Sequence, residues 1–222
     1  MTTYDDIAKA LAPCGLIPRS GFHPAAQDEV PGDPASLVMV GNAGPDMWRA
    51  FAADMRQEPD ALDRWTERVV GEVAAALGAT ALFPFGEPPP HPFQRWGASA
   101  EALHHSPLGV LIHPDYGLWH AYRAALAFTE RIDLPAADGR PSPCESCADK
   151  PCLSTCPVAA FNGESYDVEA CVWLLQEPRG ADCMAGGCLA RRACPVGTEY
   201  HYEPDQAAFH MTAFRKAQVE KG

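Results

Sequence analysis

Eight of the nine cysteines in this chain lie between Cys144 and Cys194. Their spacing is C-x2-C-x4-C-x3-C-P for Cys144, Cys147, Cys152 and Cys156, then Cys171 by itself, then C-x4-C-x5-C-P for Cys183, Cys188 and Cys194. Thiols at this density can form disulfides, hold zinc or hold an iron-sulfur centre. The chain opens MTTYDDIAKAL, with early acids and no basic segment leading into an apolar run, so no secretory signal is expected. In a reducing, cytoplasmic setting clustered cysteines are metal ligands more often than disulfides. Structural zinc commonly pairs two C-x2-C knuckles, and only Cys144 with Cys147 has that form. Cys14, between Pro13 and Gly15, reads as a small core residue.

The first run is a stretched form of the bacterial ferredoxin pattern C-x2-C-x2-C-x3-C-P, in which the fourth cysteine serves the other cluster of a pair. Proline after that cysteine cannot continue a local helix and turns the chain away. On this logic one 4Fe-4S cluster takes Cys144, Cys147, Cys152 and Cys194, and a second takes Cys156, Cys171, Cys183 and Cys188. The sequence expectation is therefore two clusters with no thiolate left over.

The elements that would position these groups divide at LPAADGRPSP, Leu134 to Pro143, which has the composition of a linker. Ahead of it the cysteine-poor part must fold by ordinary apolar burial. Thr3 to Ala12 reads as an amphipathic helix, Ser36 to Val40 as a buried strand, and the segment from Pro45 to Met55 as a helix. Asp60 to Leu77 carries Leu62, Trp65, Val69, Val73 and Leu77 at helical spacing, with Gly78 as its stop. TALFPF reads as a strand, FGEPPPHP as a stiff connection, PFQRWGASAEAL as a short helix and LGVLI as a strand. Periodicity alone leaves LWHAYRAALAF open between strand and helix. The formal net charge of -12 argues against extended nucleic-acid contact. The chain has no run of 18 or more apolar residues, so no membrane span is expected.

Two resemblances attach to these motifs. The Cys171 segment ACVWLLQE, set between a Cys-Pro-ended run and a second cysteine group, resembles the double-cluster module of epoxyqueuosine reductase and of corrinoid reductive dehalogenases. PFQRWG and GVLIHPDYGLWHAYRAAL resemble the cobalamin-processing proteins of the CblC type. Together they imply an α+β fold: a nitroreductase-like corrinoid-binding domain over residues 1–135, a small dicluster ferredoxin-like domain over 140–200, and a tail over 201–222. They also imply that LWHAYRAALAF is a strand. Carried over, the corrinoid site would comprise Phe93, Gln94, Arg95, Trp96, His113, Tyr116, Gly117, Trp119 and Arg123. The catalytic Asp-Ser-Ala-Pro type segment of epoxyqueuosine reductase has no counterpart.

The function implied is an iron-sulfur redox protein that passes electrons from two 4Fe-4S clusters to a cobalamin bound in the front domain. The alternative is a dicluster ferredoxin-type electron-transfer protein that docks on a partner enzyme without cobalamin. Its partner would be a redox protein or a corrinoid, with neither nucleic acid nor membrane involved. Whether the chain is itself an enzyme stays open, as does its oligomeric state.

Overall fold

Local capping explains where the first helix falls in the computed structural model, which describes residues 2–86, 88–136 and 138–220. Thr3 and Asp6 form a capping box, each side chain accepting from the other's backbone N–H, and so start α1 (Tyr4–Leu11). Strand β1 (Ile17–Phe22) and β2 (Ser36–Ala43) follow, then α2 (Asp46–Ala53), α3 (Ala61–Leu77), β3 (Thr80–Leu82) and α4 (Phe93–Ala100). Next come β4 (His104–His105), β5 (Leu111–Ile112) and β6 (His120–Phe128). Six further α-helices among the described residues are α5 (Pro143–Ser146), α6 (Pro151–Ser154), α7 (Val168–Gln176), α8 (Ala181–Gly186), α9 (Leu189–Arg192) and α10 (Pro204–Val219). Glu87 and Ala137, inside the expected proline connection and linker, and Lys221 and Gly222 of the expected tail, lie outside the described residues.

The chain forms two compact units, 1–102 with 120–139 and 103–119 with 140–222. The first is built on an antiparallel sheet in the order β1-β2-β6-β3. Leu37, Met39, Ala125 and Ala127 on one face join Leu82, Phe93, Trp96 and Ala100 in a core cluster, so α4 covers that face. The alternate residues Val38, Val40, Ala124 and Leu126 are buried as well. Strands covered on both faces read as continuous apolar runs, which explains the pattern of SLVMV and of AALAF. The stretch left open by periodicity is thus a central strand, paired with β2 on one side and β3 on the other.

Strand β1 has no clear sequence signal. Pro18 and Gly21 interrupt it, its register shifts between them, and Ser20 has φ 52°. Such residues are tolerated because β1 is an edge strand, where a missing donor and a bulge disturb pairing on one side only. The predicted strands TALFPF and LGVLI shorten to Thr80–Leu82 and Leu111–Ile112.

In the second unit short helices surround the cysteines, and residues 103–119 belong here. The expected tail is largely α10, whose Met211 and Phe214 pack against Leu174, Leu175 and Cys183. The expected fold, a nitroreductase-like domain followed by a dicluster ferredoxin-like one, is corrected to a mixed α+β structure with open sheets. Among the described residues no group of three or more His, Cys, Asp or Glu side chains is arranged to hold a metal ion, which removes the organising centre of a dicluster module. Among those residues, too, no helix is long and apolar enough to cross a membrane.

Candidate functional site

The cysteines are brought near one another by short helices whose starts are set by proline. Pro143 begins α5 and Pro151 begins α6, positions where a missing N–H costs nothing. Ser142 Oγ accepts from the backbone N–H of Cys144 at 3.3 Å, which fixes the first thiol at the start of α5. Cys147 follows that helix, Cys152 sits in α6, and Cys194 comes after α9. These four line a small pocket with Pro107, Ile112, Pro143, Lys150, Pro151, Pro195 and Val196. Its volume of about 20 Å³ is space for roughly one water.

The thiol of Cys152 is raised above its ordinary range by burial first, and then by Cys194, Cys144 and Cys147. Cys171 on α7 is raised by burial and by Cys188, Cys156 and Cys183, while the Tyr166 hydroxyl donates to its sulfur and opposes the rise. Cys188 is raised by burial, against backbone N–H donation from Arg191 and Ala190. Burial likewise raises Cys144 and Cys194. The Sγ of Cys156 accepts from Ala160 N–H at 3.4 Å. All nine cysteines are free thiols. The structure therefore gathers Cys144, Cys147, Cys152 and Cys194 in one neighbourhood, and Cys156, Cys171, Cys183 and Cys188 in another. Cys14 stands apart in the first unit, half-buried and raised by burial.

Neighbourhood is not coordination. A metal centre needs its ligands deprotonated and converging on one point. Among the described residues no group of three or more potential ligands is disposed around a common ion position. The expectation of two 4Fe-4S clusters is corrected on that finding, and with it both the electron supply to cobalamin and the ferredoxin-type alternative.

The nine residues expected to face a corrinoid divide between the two units. Phe93, Gln94, Arg95, Trp96 and Arg123 belong to the first unit, and His113, Tyr116, Gly117 and Trp119 to the second. Phe93 and Trp96 are core residues packed at 5.2 Å between ring centroids, and Trp96 Nε1 donates to Asp28 O at 2.8 Å. Gln94 is exposed, Arg95 pairs with Glu29 at 2.7 Å, and Arg123 lies 3.7 Å from Asp63. His113 Nδ1 accepts from the N–H groups of Asp115 and Tyr116, and its ring stacks on Tyr116 at 4.3 Å. Gly117 has φ 56° and abuts the Val196 carbonyl so closely that a Cβ would not fit. Trp119 is buried under the Arg191 guanidinium, 4.4 Å from its ring centroid. These contacts lie within one unit or the other, and the cobalamin expectation is corrected on the same finding that removes the clusters.

The chain matches no protein-family model and no curated protein. The resemblances to cobalamin-processing proteins, epoxyqueuosine reductase and reductive dehalogenases are therefore corrected as well. What stands is the chemistry of the residues themselves.

Sequence reasoning missed three participants. Tyr166 is held by stacking on Phe161 at 4.5 Å, and nothing in its local sequence marks it as a donor to Cys171. Arg191 lies between Trp119 and Tyr202 and donates to Leu118 O from Nε and Nη2, at 3.1 and 2.5 Å. The third is the buried group of Arg19, Glu101 and Tyr122, hidden because the strand carrying Arg19 was itself unrecognised.

Proposed function

We propose that the cysteine-rich unit is a thiol–disulfide exchange module working in a reducing compartment. The observation that supports this is the grouping of eight free thiols so that Cys152 and Cys171 each have three sulfur neighbours. In the step envisaged, a thiolate attacks one sulfur of an incoming disulfide and expels the other as a thiolate. A neighbouring thiolate then resolves the mixed disulfide. Two cysteines are oxidised to one disulfide with loss of two protons and two electrons, and the incoming disulfide leaves as two thiols. Burial raises the thiols of Cys152 and Cys171, which keeps their exchange slow until the pH rises. The partner would be a disulfide-bearing protein or small disulfide. The net charge of -12 suits a basic protein surface and disfavours nucleic acid.

The test is a thiol count on anaerobically purified protein before and after incubation with oxidised glutathione, with iron, zinc and acid-labile sulfide assayed on the same sample. We expect all cysteines to titrate in the reduced, denatured chain, and thiols to disappear in pairs on oxidation, with the disulfides mapping within each group of four. Stoichiometric metal or sulfide, or thiols in the folded protein that do not respond to the disulfide, would overturn the proposal.

A further inference from the structure

An open cavity of the first unit lies at the β1 edge of its sheet and has a volume of about 720 Å³. That is within the range of small-molecule sites, roughly 300–1,000 Å³. Its wall is formed by Gly21, Phe22 and His23 of β1 and the residue after it, by Ser99 and Ala100 at the end of α4, and by the segment from Arg131 to Pro135. The wall is built rather than incidental. The buried Ser36 Oγ accepts from Ile132 N–H at 2.8 Å and lies 3.2 Å from His23 Nδ1, so one hydroxyl ties both sides of the cavity together. Gly21 lets the Leu134 side chain approach, since a Cβ there would stand 3.2 Å from Leu134 Cδ2 and would meet the Leu37 carbonyl.

Two charges of opposite sign stand at this cavity. Arg131 and Asp133 both line it, and among the described residues neither has an ion-pair or hydrogen-bond partner. Phe22, Ala100, Ile132 and Leu134 supply apolar surface beside them. A simple anion would leave Asp133 opposed, and a simple cation would leave Arg131 opposed. A ligand carrying both charges satisfies the pair. We propose that this cavity binds a small zwitterion with an apolar body, of the class of an aromatic α-amino acid, its carboxylate on Arg131 and its ammonium on Asp133.

The test is calorimetric titration of the full chain with L-phenylalanine, 3-phenylpropionate and phenethylamine. Saturable binding of L-phenylalanine is expected, with each single-charge analogue at least about tenfold weaker, as loss of a charged hydrogen bond implies. Arg131→Gln and Asp133→Asn should each weaken L-phenylalanine by about the same factor, and thermal melting should show both variants folded, since both side chains are exposed. Arg131→Gln should leave phenethylamine affinity unchanged, and Asp133→Asn should do the same for 3-phenylpropionate. No saturable binding of L-phenylalanine, equal binding of the analogues, or indifference to both substitutions would overturn the assignment.

Discussion

Glu101→Ala is the perturbation that most directly probes how the first unit is held together. Arg19 on β1 is 1% exposed and the Glu101 side chain, just beyond α4, is 8% exposed. Arg19 donates to Glu101 from Nε at 3.2 Å and from Nη2 at 2.5 Å, and Tyr122 on β6 donates its hydroxyl to the same carboxylate at 2.5 Å. The Tyr122 hydroxyl is held far above its ordinary range, by burial first and then by the Glu101 charge, so it stays a donor at every accessible pH. Truncating Glu101 leaves a guanidinium buried without its counter-charge and a buried hydroxyl without an acceptor. Removing one member of a buried ion pair costs about 3–5 kcal/mol, and for a chain of this size each kcal/mol lowers Tm by about 2–4 °C. A fall in Tm of about 6–20 °C, with a matching shift of the urea midpoint at unchanged m-value, is expected. Glu101→Gln keeps an acceptor for Tyr122 but not the charge, and should lose nearly as much. Arg19→Met with Glu101→Leu removes both charges and should recover most of the loss, because the cost lies in the unpaired ion rather than in shape. A loss under about 1 kcal/mol for Glu101→Ala would refute the reasoning, since a pair that weak behaves as a surface one.

Two other outcomes follow from the same geometry. Because burial raises the thiols of Cys144, Cys152, Cys171, Cys188 and Cys194, their exchange with a small disulfide should accelerate about tenfold per pH unit from pH 7 to 9, without reaching a plateau. Tyr166→Phe removes the donor that opposes this rise at Cys171, so mass-spectrometric alkylation at that residue should slow by about tenfold at pH 8, consistent with a hydrogen bond to a charged group. An unchanged rate would place the Tyr166 hydroxyl elsewhere. Gly97→Ala would drive a Cβ into the Tyr122 ring and its hydroxyl, so a loss of about 1–3 kcal/mol in denaturant unfolding is expected, and a neutral effect would show that α4 can shift.

Local signals in the chain were sufficient for the elements whose rules are local. The Thr3 cap, the spacing of Leu62 and Trp65 along α3, and Gly78 at φ 67° need only a few neighbouring residues, and these helices fall where periodicity puts them. The cysteine spacing likewise restricts which thiols can be near one another, because prolines at 143, 151, 157 and 195 turn the chain at each group.

What those thiols do is a property of their surroundings. Whether a sulfur is a ligand, a nucleophile or packing depends on burial, on donors such as Tyr166 and on convergence toward a point, and these are contributed by residues far away in sequence. The same holds for Trp96 and Trp119, core residues engaged by Asp28 and Arg191, partners far away in sequence. Residues 103–119 join the cysteine-rich unit although they precede the linker, and no composition shift announces this. By itself the sequence determined the helices α1 to α4 and the buried strand β2, since each follows from periodicity or from a turn. Tertiary structure decided the edge strand β1, the buried ion pair of Arg19 and Glu101, and the raised thiols of Cys144, Cys152, Cys171, Cys188 and Cys194. Each of those depends on how much water distant segments exclude.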